Sequence, residues 1–242
     1  PAALAREILP PRASLEEIQA YLEPRVPRMP AFESAAEWQA LADRMRRDVL
    51  DRIVFRGEAA AWRDHAFRVD VQGELAGPGY LIRKLRYEAV PGLWIPALLY
   101  LPEKLEGRVP LHLAVNGHDG AGKAAPYKQE RCVNLVKRGM IVLNVEWLGM
   151  GQLRGPGNGH YLMNQLDLCG TSGLAPFYLS MKNGLDLLLA HPNADPARTA
   201  VHGLSGGGWQ TIFFSALDTR VVLANPVAGY SSFRTRIRHL KD

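Results

Sequence analysis

Residues 202–208, His-Gly-Leu-Ser-Gly-Gly-Gly, carry the most specific chemical signal in the sequence. They fit the pattern G-x-S-x-G, in which the serine is a nucleophile when it follows a strand and precedes a helix. Apolar periodicity predicts that context, with a strand over 198–203 and a helix over 206–217. The flanking glycines would let the strand and the helix approach without a Cβ clash. We therefore predict that Ser205 is a nucleophile; a glycine-rich turn or a phosphate cradle is the alternative.

A second glycine-rich segment, residues 116–122, follows an apolar run at 111–115. Both segments should lie at the edge of the sheet where parallel strands have their carboxyl ends. A serine on such a turn needs two backbone N–H groups for the developing oxyanion, one after the serine and one from this loop. We assign them to the amides of Gly206 and His118. The alternative for His118 is a side chain that only orders its loop.

Two further residues follow the predicted strand at 140–146. Glu146 and Trp147 are candidates for lining a substrate pocket, and the alternative for Glu146 is a carboxylate that holds the glycine-rich loop over 149–159. On that loop, His160 and Tyr161 either contact substrate or are solvated.

Composition excludes several classes of protein. Of 242 residues, 47% are hydrophobic and 22% are charged, so a disordered or coiled-coil chain is not expected. The net charge of +5 comes from scattered Lys and Arg with no recognisable nucleic-acid module, so no nucleic-acid partner is predicted. No apolar run of about 18 residues occurs, which predicts a soluble chain without a membrane partner. Compartment and oligomeric state stay open.

Metal and redox signals are missing from the sequence. No His, Cys, Asp or Glu cluster has metal-ligand spacing, so neither a metal nor another cofactor is predicted. Cys132 and Cys169 lie in different predicted elements and are interpreted as buried thiols.

The first third of the chain has helical patterns. Ser14 and Ser34 each precede an acidic residue by three positions, which predicts capped helix starts, and prolines separate the two helices. The apolar stripe of the second helix needs a partner surface. We expect residues 1–78 to form an N-terminal helical extension packed on a core over 79–242.

From residue 80 onward short apolar runs alternate with helical patterns. A hairpin is predicted over 81–89 and 93–101. Strands are then expected at 111–116, 140–146, 198–203 and 221–227, and helices at 126–138, 174–190 and 206–217. This alternation predicts an α/β fold with a doubly wound, mostly parallel sheet.

Residues 116–123, 146–151 and 203–211 resemble the bacterial acetylxylan-esterase and dienelactone-hydrolase-like branch of the α/β-hydrolase family. The resemblance extends from about residue 80 to the end, and the N-terminal helices are similar to an extension in that branch. It implies hydrolysis of small or carbohydrate esters by a Ser-His-Asp triad, ordered Ser, acid, His along the chain. One departure is Asn116, where the family usually has a histidine.

His239 is the only histidine in residues 206–242, and no carboxylate lies between the predicted strand at 221–227 and His239. Asp218 would lie about 17 Å from Ser205 at the far end of the helix, and His202 about 10 Å back along the strand. Using His239 with the terminal Asp242 would reverse the family order. We therefore expect the sequence to stop before the acid and histidine loops, which leaves the α/β-hydrolase core C-terminally incomplete.

The predicted function is that of a serine esterase acting through an acyl-enzyme, with an acetyl group on a sugar as the implied substrate. The alternatives are a peptidase of the prolyl-oligopeptidase type and a hydrolase relative that binds without catalysis. If the core is incomplete, the strand at 221–227 becomes an apolar edge. A protein of these residues alone should then lack activity and pair or aggregate through that edge.

Overall fold

The computed structural model describes residues 4–239, and within this range seven strands form one sheet in the order β1-β2-β3-β5-β4-β6-β7. The strands are β1 (Val69–Gly77), β2 (Tyr80–Val90), β3 (Leu93–Pro102), β4 (Val109–Ala114), β5 (Ile141–Val145), β6 (Ala194–Leu204) and β7 (Leu223–Val227). The first three strands are antiparallel neighbours, and β3 is antiparallel to β5. β4 is parallel to β5 and β6, and β6 is parallel to β7. The sheet is therefore mixed, and its parallel part holds the strands with the predicted site.

Helices connect the parallel strands, as the alternating pattern predicts. The α-helices are α1 (Ala13–Leu22), α2 (Ala35–Val49), α3 (Ala59–Trp62), α4 (Pro126–Val136), α5 (Asn164–Leu168), α6 (Ala175–Leu189), α7 (Gly206–Leu217) and α8 (Phe233–His239). The predicted hairpin, the later strands and the helices of the core are confirmed, with boundaries shifted by a few residues. No helix within 4–239 is both long and apolar enough to cross a bilayer.

The N-terminal region differs from its expected helical character in one segment. Residues 69–77 form β1, which pairs with β2 from Val69↔Tyr87 to Gly77↔Tyr80. A bulge near Gly73 interrupts the period-2 pattern of this strand, and its side chains are mostly exposed. Apolar and polar residues alternate over 69–72, which is a strand signal, but this run is short because the bulge follows it.

The two predicted capped helix starts have different outcomes. Before α2, the Glu37 N–H donates to Ser34 Oγ at 3.2 Å, and the Glu33 N–H donates to the Glu37 carboxylate at 3.0 Å. The prediction at Ser14 is wrong, because α1 already begins at Ala13 and no side chain caps it.

Two compact units divide the chain: the described residues of 1–38 and 230–242, and residues 39–229. In the first unit, Gln19 donates to the carbonyl of Ile237 at 2.8 Å, and Arg238 pairs with Glu23 at 2.7 Å. The second unit contains the whole sheet. The expected division of the chain at residue 78 stays a prediction.

Both faces of the sheet are covered by helices. On one face, Leu113 and Leu143 belong to a large apolar cluster with residues of α6 and α7. On the other face, Val142 packs with Cys132 and Val136 of α4. Neighbouring residues of β5 thus enter different clusters, which explains why its sequence is apolar except at Asn144.

The two cysteines do not share an environment. Cys132 is fully buried, and desolvation raises the pKa of its thiol to about 11. Cys169 is exposed, so the prediction of a buried thiol is wrong there. It follows α5, a short helix whose own residues include no buried one.

Candidate active site

Ser205 lies at the junction of β6 and α7 in a left-handed backbone conformation, with φ 58° and ψ −118°. That region is costly for a residue with a Cβ, and the surrounding structure must hold it in place. Here the Ser205 N–H donates to the Val227 carbonyl at 2.8 Å, and the Trp209 N–H donates to the Ser205 carbonyl at 3.0 Å. The side chain is exposed, and its hydroxyl has no hydrogen-bond partner within residues 4–239.

The glycine beside the turn is required by space. A Cβ on Gly203 would lie 2.5 Å from the Gly207 carbonyl atoms, closer than real Cβ contacts. Strand and helix therefore approach as the sequence pattern predicts.

Residues 116–122 come directly against this turn. A Cβ on Gly117 would lie 2.8 Å from the Gly206 nitrogen. The segment that contains Gly117 and His118 therefore adjoins the segment that contains Gly206. Neither the Gly206 nor the His118 backbone N–H has an acceptor among the described residues. The structure brings together the two predicted amide donors and Ser205, and leaves both donors free.

Three aromatic side chains cluster beside the turn. The Nε2 atoms of His118 and His160 lie 3.0 Å apart, the His160 ring stacks on Trp147 at 4.6 Å, and the His118 ring meets Trp147 edge-on at 4.7 Å. Burial, and then the neighbouring His118, lower the pKa of His160. The His118 imidazole therefore orders two loops against each other.

Trp147 links this cluster to the serine turn. Its side chain is buried, and a Cβ on Gly206 would lie 2.5 Å from the Trp147 ring. The predicted pocket residue thus borders the amide that follows Ser205.

Glu146 is held by other contacts. Its carboxylate accepts hydrogen bonds from the Lys123 N–H at 2.8 Å, the Lys123 ammonium at 2.9 Å and the Gln152 N–H at 3.2 Å. Both Glu146 and Lys123 are almost fully buried. This geometry favours the interpretation in which Glu146 holds the glycine-rich loop. Lys123 was not identified from sequence, because its partner lies 23 residues away.

Asn116, where the resembling family has a histidine, attaches its loop to the sheet. The side-chain amide donates to Asn144 Oδ1 at 2.7 Å and to the Val145 carbonyl at 2.6 Å, and its oxygen accepts from Arg131 at 3.1 Å. Gln210 on α7 donates to the Asn116 carbonyl at 2.6 Å. Asparagine thus supplies the polar contacts that fix this loop.

The acidic and histidine residues that were not predicted to belong to a catalytic triad are placed as follows. Asp218 ends α7 and pairs with Arg220 at 2.6 Å. His202 is buried with its Nδ1 against His112, and burial, then His112, lower its pKa to about 2. His239 ends α8 in the first unit, and Asp242 lies outside the described residues.

No protein-family model and no curated relative matches the sequence. Solved structures are similar in fold: a candidate acetyl xylan esterase from Bacteroides fragilis (TM-score 0.67, 19% identity), a methylesterase (0.66, 21%) and acetyl xylan esterase 1 from Thermoanaerobacterium (0.58, 19%). The matches cover 90%, 91% and 86% of this chain. These likenesses show an α/β-hydrolase-like fold.

The same matches cover 60%, 46% and 60% of the other three chains. This chain thus spans about half to three fifths of the proteins that it is similar to.

Proposed function

We propose that the protein is a serine-dependent carboxylic ester hydrolase that acts through an acyl-enzyme. The observation that carries the proposal is the exposed Ser205 in a left-handed conformation, beside the free N–H groups of Gly206 and His118. Strain of this kind concentrates at functional sites, where the fold holds a reactive group in a fixed direction. A structural turn at this point would have no need of an exposed serine.

In the proposed reaction, Ser205 Oγ attacks the ester carbonyl carbon while a general base takes the hydroxyl proton. The carbonyl oxygen becomes an oxyanion, and the Gly206 and His118 amides stabilise it. Collapse of the tetrahedral intermediate breaks the ester bond, and the leaving alkoxide takes the proton from the base. Water then attacks the acyl-enzyme in the same way and releases the acid.

The proposed substrates are small or carbohydrate esters, with an acetylated sugar as the first candidate. The similar structures include proteins named as acetyl xylan esterases and a methylesterase, which supports this class. The half-buried His160 ring stacks on the buried Trp147, which borders Gly206, and the outer face of His160 can pack against the apolar face of a sugar.

The test is labelling of the full-length protein with a fluorophosphonate, followed by turnover of an aryl acetate, acetylated xylo-oligosaccharides and peptides. We expect labelling at Ser205 and acetate release, both lost in Ser205→Ala. Ser215→Ala, on the same helix, is the matched control and should keep both. A folded protein that is not labelled would overturn the proposal in favour of a non-catalytic binding protein. Cleavage of peptides alone would replace it with a prolyl-oligopeptidase-type activity.

A further inference from the structure

A cavity of about 1140 Å³ lies beside the candidate site, within the second unit. Its floor is formed by β2 and β3, and its walls by residues 120–124 and 151–154. The lining residues used below are Lys84, Arg86, Pro96, Leu98, Gly120 and Arg154.

The cavity adjoins the loops that border Ser205. The Glu146 N–H, directly after the carboxyl end of β5, donates to the Pro96 carbonyl at 2.9 Å, and both residues line the cavity. Trp147, the next residue, borders Gly206. The loop after β4 likewise runs from Gly117, against the serine turn, to the cavity wall at 120–124. A ligand in the cavity would therefore contact the two segments that also border Ser205.

The lining carries an excess of positive charge. Arg86 is paired with Asp70 at 2.9 Å, and Lys123 with Glu146 at 2.9 Å. Lys84 and Arg154 also line the cavity and are exposed, and neither has an ion-pair partner among the described residues.

The position of Arg154 depends on the residue opposite it. A Cβ on Gly120 would lie 3.1 Å from a guanidinium nitrogen of Arg154, tighter than most real Cβ contacts. Glycine at 120 thus leaves room for the guanidinium to lie against the loop at the cavity wall.

We propose that this cavity binds a sugar that carries an anionic group, a carboxylate or a phosphate, next to the esterase centre. A guanidinium and an ammonium are the cations that bind such groups in proteins. Pro96 and Leu98 are half-buried on the floor and offer an apolar surface for the face of a sugar ring. The inference rests on the proposed function for the sugar, whereas the charge preference follows from the cavity alone.

The experiment is calorimetric titration of the Ser205→Ala protein, in which no ester is consumed, with three probes at low salt. The probes are a trisaccharide of galacturonic acid, the neutral trisaccharide of galactose, and glucose 6-phosphate. We expect at least one anionic probe to bind about tenfold more tightly than the neutral one, and the preferred anion distinguishes carboxylate from phosphate. In a Lys84→Gln/Arg154→Gln background the preference should disappear, whereas Arg47→Gln, which removes an exposed cation of α2, should retain it.

Equal binding of charged and neutral probes, or a preference that survives the double substitution, would overturn the inference. The measurement is of binding, so the two hypotheses are tested separately. Labelling at Ser205 without a preference for anions would contradict the inference and leave the proposed function standing. A preference for anions without labelling at Ser205 would contradict only the proposed function. Circular dichroism on each variant checks the fold, and a folded double variant is expected because both side chains are exposed.

Discussion

Two pairs of polar side chains lie at neighbouring strands of the sheet. One is an ion pair, and the other is a pair of uncharged histidines. After β5, the Lys123 ammonium and the Glu146 carboxylate are both charged and hydrogen-bonded to each other and to Gln152. Between β4 and β6, the buried His202 lies against the half-buried His112, and desolvation lowers the pKa of both and keeps them uncharged at neutral pH. The first pair holds loops of the candidate site in place. The second pair lies between β4 and β6, the strand that leads to the serine turn.

The surroundings of the two pairs also differ. Around Glu146, glycine-rich loops close over the carboxylate, and a Cβ on Gly122 or Gly151 would run into its oxygens. Beside His202 lies an apolar cavity of about 520 Å³ that extends to Val227 of the exposed edge strand β7. The comparison teaches that the β5 side of the sheet is built to hold loops in one place, while the β7 side presents uncovered surface.

The largest expected effect is at Ser205. We expect Ser205→Ala and Ser205→Gly each to lower kcat/KM for an aryl acetate by about 10⁴-fold or more. Glycine accepts the left-handed backbone, so the free energy of unfolding of Ser205→Gly should be about 1 kcal/mol higher than that of Ser205→Ala. Steady-state kinetics and urea denaturation measure the two effects. Equal stability of the two variants would remove the argument for strain at this turn.

The second-largest effect is expected when the ion pair between Lys123 and Glu146 is broken. Glu146→Gln leaves the buried Lys123 ammonium without its counter-charge, which we expect to lower the free energy of unfolding by about 3 kcal/mol. Lys123→Met/Glu146→Leu removes both charges and should recover a large part of that loss, because no unpaired charge remains. Urea denaturation of the three proteins checks this. A single variant as stable as the parent would show that the pair does not hold the loops.

The histidine pair should respond to pH in the acid range. In the folded protein the pKa of His112 is lowered to about 4 and that of His202 to about 2, mainly by burial, and the positive charge of Arg131 also lowers both. Unfolded histidines titrate near 6.5, so the unfolded state binds more protons below that pH. Stability should therefore fall as the pH drops below about 6.5, by at most about 1.4 kcal/mol per pH unit for each histidine.

The control for the histidine pair is His202→Leu, which removes one of these titrations. We expect its stability to fall less steeply between pH 6.5 and 4 than that of the parent protein, as measured by thermal denaturation at a series of pH values. Parallel curves for the two proteins would mean that other groups cause the acid sensitivity.

A smaller effect is expected at His118, since its amide and not its imidazole is assigned to the oxyanion. His118→Ala should keep kcat/KM for an aryl acetate within about tenfold of the parent, because only the side-chain contacts with His160 and Trp147 are lost. His160→Ala should cost about as much, since it removes the same contact. A loss at His118 as large as that of Ser205→Ala would assign the imidazole to catalysis.

The smallest effect on folding is expected at β7. Leu223 is 59% exposed on this edge strand, and Leu223→Lys should change the free energy of unfolding by less than about 0.5 kcal/mol. It should nevertheless reduce any concentration-dependent association, since charge blocks pairing of an apolar edge. Analytical ultracentrifugation of parent and variant measures this. Association that is unchanged in Leu223→Lys would place the contact on another surface.

The features that were predicted correctly depend on neighbouring residues in the chain. The turn at Ser205 follows from a strand, two glycines and a helix within about twenty residues, and α7 begins and ends where the pattern predicts. β4 and β5 are mostly apolar, apart from His112 and Asn144, because both of their faces are covered. Local sequence carries such signals, since the same few residues form the element and its turn.

Only the tertiary structure decided which side chains meet. The Lys123 and Glu146 pair joins residues 23 positions apart, and the His118 and His160 contact joins residues 42 apart. Each contact arises because parallel strands bring separate loops to one edge of the sheet, and no pattern in a single segment encodes that pairing. The bulged and exposed β1 is a strand for the same reason: its backbone pairs with β2, although its apolar side chains are exposed and the bulge interrupts their alternation. Sequence thus determined most of the elements and the turn that carries Ser205, whereas packing across the sheet determined what surrounds that turn.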